Sequence, residues 1–232
     1  MSAHMIHKFP DKNALAARLA IDIISVLSAG IEQNGVAILA VSGGSTTKIL
    51  FQTLSKMPLD WEKIIVTLVD ERWVEENSAR SNARLVKTNL LQNEAKSAKF
   101  VPLFLVGIDL PGALAPLEDV LQKLRKPFDV VILGMGTDGH TASFFPNADN
   151  LVAAVDLSNR NMLSAIYSDS LDEPRITFNL PVLISANFLA LHLEGAEKLS
   201  VLKKAQQSGD ANAMPIRHVL NNAKQLQTYY CP

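Results

Sequence analysis

Short, wholly apolar runs alternate along this chain with longer stretches in which apolar residues recur every three or four positions. Residues 36–41 (Val-Ala-Ile-Leu-Ala-Val), 64–69 (Ile-Ile-Val-Thr-Leu-Val) and 130–133 (Val-Val-Ile-Leu) are rich in β-branched side chains, as expected of strands buried on both faces. Residues 100–106, 162–167, 175–180 and 187–193 read as further strands, with a turn at Asp172-Glu-Pro174 and a final edge strand near 226–230. Between these runs the spacing becomes helical. Asp11 caps a segment carrying Leu15, Leu19, Ile23, Val26 and Leu27 on one side, and Gly35 ends it. Further helices are expected from Lys48 through Leu54, over 78–92, over 113–126 up to Pro127, over 181–186, after Gly195, and over 215–223. Most strands are joined by connections long enough for a crossover. The pattern therefore predicts an α/β fold: a single domain over residues 1–232, with a mostly parallel sheet covered by helices on both faces.

Composition narrows the partners more than the fold. With 232 residues, 48% of them hydrophobic and 19% charged, the chain has material for a full core and the balance of an ordinary globular protein. Lys plus Arg number 22 against 23 Asp plus Glu, so neither nucleic acid nor an anionic membrane is expected as the main partner. No apolar run of spanning length and no basic-then-apolar leader stand out, so membrane insertion and export are not expected. A single cysteine, Cys231, excludes an intrachain disulfide framework and suits a reducing, cytoplasmic setting. Modest size and balanced charge make a monomer the expected state. Met1 to Met5 is set aside as foreign to the fold, and residues 1–8, with His4 and His7, are expected to form a flexible tail. No internal repeat or low-complexity segment is present.

Chemistry concentrates where the apolar runs stop. Gly134 and Gly136 end the run 130–133, and Asp138 and His140 follow, separated by a glycine that lets the backbone turn tightly. Loops leaving the carboxyl ends of strands line the ligand crevice of an α/β sheet, and an imidazole placed there can serve as a base near neutral pH. The letters from Gly134 to Gly139 also satisfy GxGxxG. However, Pro146 and the polar Asn147-Ala-Asp-Asn150 leave no room for the long helix that a dinucleotide site needs. Ser42-Gly-Gly-Ser-Thr-Thr47 is a glycine-rich turn opening a helix. It suits an anion without the Walker spacing, the alternative being a plain turn capped by Ser45 or Thr46. Asp70-Glu-Arg72 places three charges at the mouth of a buried run, for a site or for a structural salt-bridge cluster. Ser45 lacks the G-x-S-x-G elbow of a hydrolase nucleophile. The histidines are too scattered to suggest a metal, and His192 and His218 read as structural.

Taken together, Ser42-Gly-Gly-Ser-Thr46, Asp70-Glu-Arg-Trp-Val74, Ser81-Asn82 and Leu133-Gly-Met-Gly-Thr-Asp-Gly-His-Thr-Ala-Ser-Phe-Phe-Pro146 resemble 6-phosphogluconolactonases. Pro174-Arg-Ile-Thr177 and Gly195-Ala-Glu-Lys198 extend the resemblance over nearly the whole chain. The resemblance implies a Rossmann-like sheet, shared with glucosamine-6-phosphate deaminases. It also implies hydrolysis of 6-phosphoglucono-1,5-lactone in the oxidative pentose phosphate pathway, with no cofactor and no metal. The substrate's phosphate, about −1.5 to −2 in charge at neutral pH, is then expected against the N–H groups of Gly43, Gly44, Ser45 and Thr46 and the charges of Arg175 and Lys198. His140 is the expected general base and Arg72 the partner of the oxyanion or sugar. Asp70 is expected to orient His140 or bind a hydroxyl, Asn82 to read ring hydroxyls, and Asp138 to hold the loop or the histidine. Two positions depart from the pattern: Tyr229-Tyr-Cys-Pro232 replaces an aromatic-aspartate ending, and Thr47 stands where proline is usual. Among rival readings, a phosphosugar isomerase–deaminase needs a further carboxylate behind the histidine, where this chain has Phe144-Phe145-Pro146. A non-catalytic phosphosugar sensor has no need of a base.

Overall fold

The computed structural model describes residues 5–232; His4 and the rest of 1–4 lie outside the described residues. Met5–Lys8 (β1) is followed by the long helix Lys12–Asn34 (α1). Asp11 accepts the Ala14 N–H at 2.9 Å, and Gly35 ends the helix at φ +75°, where a side chain would be strained. Next come Ala37–Val41 (β2), Thr47–Leu54 (α2), Ile64–Leu68 (β3), Asp70–Arg72 (β4), Asn82–Asn89 (α3), Lys99–Val101 (β5), Leu110–Leu121 (α4) and Val130–Leu133 (β6). The remainder adds Leu151–Val155 (α5), Leu163–Ile166 (β7), Arg175–Phe178 (β8), Leu180–Ile184 (α6), Phe188–Glu194 (β9), Ala196–Ala205 (α7), Ile216–Asn222 (α8) and Gln227–Cys231 (β10).

Seven strands form one sheet in the order β1-β10-β9-β6-β2-β3-β5, every pair parallel, flanked by helices in a Rossmann-like arrangement. Every residue of β2 and β6 is buried, which is why both read as unbroken apolar runs. The chain builds outward from β2 through β3 to β5, then returns to β6 and builds the other way. At that reversal the loops after β2 and β6 diverge and leave a crevice at the carboxyl ends of the strands. Strands β4, β8 and β7 form a separate three-stranded antiparallel sheet.

Several expectations change. Residues 5–8 are an edge strand rather than a tail: β1 pairs with Gln227–Tyr230, and the His7 ring packs tilted against Tyr229, centroids 4.9 Å apart. β10 is consequently internal, between β1 and β9. Four residues carry too little periodicity to announce a strand; long-range pairing decides it. Helix α1 is, by length and composition, long and apolar enough to cross a membrane, contrary to the sequence reading. Yet Leu15, Leu19, Ile23 and Leu27 along one face lie fully inside the core, each worth about 1.5–3 kcal/mol of burial. It is a core helix. Asp109 starts α4 by accepting the Gly112 N–H at 3.0 Å, earlier than expected, because proline is tolerated in a first helical turn. Ser81 likewise starts α3 by accepting the Arg84 N–H at 3.2 Å. β5 stops before Pro102, which cannot donate to a ladder. The short α5 was not anticipated.

Candidate active site

A cleft of about 270 Å³ opens at the carboxyl ends of β2, β6 and β9, with the small antiparallel sheet as one wall. It brings together Gly43, Gly44, Ser45, Thr46, Asp70, Arg72, Asn82, His140, Arg175 and Lys198. Asp138 stands behind His140, against its ring.

The turn after β2 is shaped for close approach. A Cβ on Gly43 would lie 1.8 Å from Asn82 Oδ1, and Gly44 has φ +99°. Neither Ser45 nor Thr46 caps α2: Thr46 at the cap position makes no side-chain bond, so the plain-turn alternative loses its capping role. The first-turn N–H groups of α2, which have no partner within the helix, lack a side-chain cap at the cleft. Thr47 donates its hydroxyl to the Gly44 carbonyl at 3.0 Å. Lys198 reaches the same cleft from the first turn of α7.

The opposite wall is cationic by register. β4 and β8 pair antiparallel with Arg72 directly opposite Arg175. Like charges in that position repel, so the pairing favours an anion between or beside them. Arg175 is 6% exposed; burial first, and then the charge of Arg72, push its guanidinium below the ordinary value, while Asp70 and Glu173 oppose the shift. Its Nε has no hydrogen-bond partner among the described residues, its Nη2 lies 3.8 Å from Glu173, and the group sits 5.7 Å above the Phe145 ring. Arg72 donates from Nη1 to the Arg80 carbonyl at 2.5 Å.

The acidic members of this segment divide the work. Asp70 accepts the Ser143 hydroxyl at 2.6 Å, and its carbonyl accepts the Asn82 amide at 2.9 Å. The carboxylate that meets His140 is that of Asp138, one of the two expected to do so, while the Asp70 carboxylate meets Ser143 instead. Glu71 is fully buried without forming a salt-bridge cluster: Oε1 accepts the N–H groups of Arg72 and Asn82, both at 2.8 Å, and Oε2 that of Ala83 at 2.7 Å. Burial raises its carboxyl above the usual range, against the pull of those three N–H groups. This residue ties β4 to the start of α3 and so sets the directions of both Arg72 and Asn82.

The loop after β6 folds on itself. Gly136 donates its N–H to the His140 carbonyl at 2.9 Å, and Gly139, at φ +83°, donates to Gly136 at 3.1 Å. The segment closes as a turn and opens no helix until α5, which disposes of the dinucleotide reading. Asp138 Oδ1 accepts the His140 backbone N–H at 3.0 Å and lies 2.6 Å from Nδ1. Burial alone raises the Asp138 carboxyl, but the hydrogen bond and charge of His140 outweigh it and hold the group below the usual range. The His140 side chain is 32% exposed and packs against Phe145, with ring centroids 4.4 Å apart.

Sequence reasoning left His192 as a structural residue. In the structure it is 1% exposed and forms part of the cleft wall. The signal was the strand period: His192 and Glu194 fall on one face of β9, at the end where the crevice lies. His218, by contrast, pairs with Asn212 at 2.9 Å and does not line the cleft.

A family model described as glucosamine-6-phosphate isomerases/6-phosphogluconolactonase matches residues 10–229. A 6-phosphogluconolactonase of Rhizobium meliloti (strain 1021) is 47% identical over 233 residues, covering 100% of both chains. One of Pseudomonas putida is 38% identical, covering 100% of this chain and 94% of its own. The crystal structure of a 6-phosphogluconolactonase from Shewanella baltica OS155 superposes with a TM-score of 0.94 at 39% identity, over 99% of this chain and 98% of its own. With the motif order, the fold and the cleft in agreement, this chain belongs to the family of glucosamine-6-phosphate isomerases and 6-phosphogluconolactonases.

Proposed function

We propose that this chain hydrolyses 6-phosphoglucono-1,5-lactone to 6-phosphogluconate, with His140 as the general base. The observation that carries the reading is the Asp138–His140 pair, 2.6 Å apart, in one cleft with the Gly43–Thr46 turn, Arg72, Arg175 and Lys198. The relatives that share the fold and are named as lactonases support it.

Asp138 occupies Nδ1 of His140, which leaves Nε2 to take a proton from water. The hydroxide oxygen bonds to the lactone carbonyl carbon, and the electron pair moves to the carbonyl oxygen, whose charge Arg72 stabilises. Collapse of this intermediate breaks the bond to the ring oxygen, which receives the proton held by His140. The open product then ionises to a carboxylate. Asn82 and Asp70 hold ring hydroxyls, while Arg175, Lys198 and the Gly43–Thr46 N–H groups bind the phosphate, arginine by two oxygens and lysine as a point charge. A lactone is already activated relative to an amide, so the scheme uses only water and these side chains. Amino-sugar deamination needs a second carboxylate at the histidine besides Asp138, and the lactonase chemistry is favoured because the apolar ring of Phe145 packs against His140 where that group would stand.

Rapid mixing with freshly made 6-phosphogluconolactone, corrected for spontaneous opening, tests the reading. Wild-type protein accelerates hydrolysis, and His140→Ala loses about 10²–10⁴-fold in turnover while still binding 6-phosphogluconate. No acceleration by wild type overturns the activity; unchanged turnover in His140→Ala overturns the role of the base.

A further inference from the structure

His192 is buried to 1% exposure, yet its ring forms part of the cleft wall together with Gly44, Ser45, Thr46 and Lys198. Among the described residues, neither ring nitrogen meets a well-formed hydrogen-bond partner. Nε2 lies 3.3 Å from Glu194 Oε1, at ion-pair distance. A buried imidazole left without bonds is costly to the fold, and such groups call for a reason. Glu194 is itself held by Lys12 of α1, 2.9 Å away. Burial opposes the charge of Glu194, but His192 and Lys12 together keep its carboxyl below the usual range. The other titratable groups around this spot are Lys198 on α7, His140 on the loop after β6, and Tyr229 and Cys231 on β10. Burial raises both the Tyr229 phenol and the Cys231 thiol, so neither supplies a negative charge at neutral pH.

We propose that His192 is the proton-carrying member of the phosphate end of the cleft. With Glu194 at Nε2, its ring becomes protonated when a phosphomonoester binds and donates Nδ1–H to a phosphate oxygen. The inference rests on the reading that the phosphate lies against the Gly43–Thr46 turn and Lys198. A phosphomonoester loses its second proton near pH 6, so around neutral pH it reaches the ring as a dianion or as a monoanion. A bound dianion draws the proton from solvent to the ring. A bound monoanion brings that proton with it and passes it to the ring. Both routes end in the same pair, imidazolium beside dianion, with charge on the ring balanced by Glu194. This arrangement ties phosphate recognition to His192 without involving it in the attack on the lactone.

Titration calorimetry with glucose 6-phosphate, an unreactive phosphorylated hexose, in buffers of different ionisation enthalpy counts the protons taken up on binding. At about pH 7.5, where the phosphate is mostly the dianion, the wild type takes up a fraction of a proton. His192→Gln takes up less and binds glucose 6-phosphate about tenfold more weakly, the scale of one lost charge-assisted hydrogen bond. Its kcat/KM toward unphosphorylated gluconolactone stays within about twofold of wild type. Glu194→Gln, which leaves the ring in place, lowers the proton uptake in the same direction, so a packing defect at position 192 does not decide the result. Wild-type uptake and affinity in His192→Gln, or equal losses for phosphorylated and unphosphorylated ligands, overturn the role of His192. If affinity for glucose 6-phosphate is also indifferent to Lys198→Ala, the underlying placement of the phosphate falls with it.

Discussion

One oxygen of Asp138 serves two donors, the backbone N–H of His140 at 3.0 Å and the ring Nδ1 at 2.6 Å. That geometry makes Asp138→Asn informative. The backbone N–H holds an oxygen, not an NH₂ group, at the shared position, so the substituted amide keeps accepting from Nδ1–H. The histidine then retains its working tautomer and loses only the negative charge behind it. Two unit charges about 4 Å apart interact by about 1 kcal/mol in water and about 4 kcal/mol at an effective dielectric of 20. The Asp138 side chain is 48% exposed, which favours the lower half of that range. A loss of about 1–2.5 kcal/mol in stabilising the imidazolium-like transition state lowers kcat by about 5- to 70-fold. Asp138→Ala removes the bond as well as the charge and frees the ring to turn, so it falls by about 10²–10⁴-fold. Stopped-flow detection of the proton released on lactone opening, with the spontaneous rate subtracted, resolves the three proteins. A variant with asparagine as inactive as one with alanine refutes the shared-oxygen argument. If both variants retain near wild-type turnover, the dyad is not the source of the rate.

Gly136→Ala places a Cβ 2.2 Å from His140 Nδ1, so it displaces the ring from Asp138. Activity then falls by at least about 10²-fold, while circular dichroism still shows a folded protein; full activity contradicts the packing of this loop. Arg175→Ala and Lys198→Ala weaken KM for the phosphorylated lactone by about tenfold or more and leave unphosphorylated gluconolactone nearly unchanged. Equal losses on both substrates would remove these residues from the phosphate site. The Asp138 carboxyl titrates below its ordinary value in the folded protein, so its stabilising contribution is full above the unfolded value near pH 3.9 and is lost as pH falls through the folded one. The Tm difference between wild type and Asp138→Ala is therefore expected at neutral pH and closes in strong acid; a difference that persists or grows there contradicts the sign.

Local patterns carried much of this molecule. The wholly apolar runs at β2, β3 and β6 follow from burial on both faces, and Asp11 with Gly35 bounds α1 through capping chemistry that involves only neighbouring residues. The same reasoning placed the Gly43–Thr46 turn and His140 just beyond strand ends, where a crevice must open in a parallel sheet; that Arg72 lies in a strand of its own, β4, was not legible. Weak or misleading local signals failed where long-range pairing decides. β1 became a strand because β10 lies beside it, and apolar α1 is a core helix because the sheet covers one of its faces.

What the sequence by itself determined is which chemical groups stand at which strand ends, because burial, turn formation and capping act within a few residues. Only the tertiary structure decided which of them meet. It gave Asp70 to Ser143, set Arg72 against Arg175 across two antiparallel strands, and turned His192 from packing into cleft wall, whereas the meeting of His140 with Asp138, two residues away, was already legible locally. These outcomes depend on register and on distances between segments far apart in the chain, and such distances exist only once the core has closed.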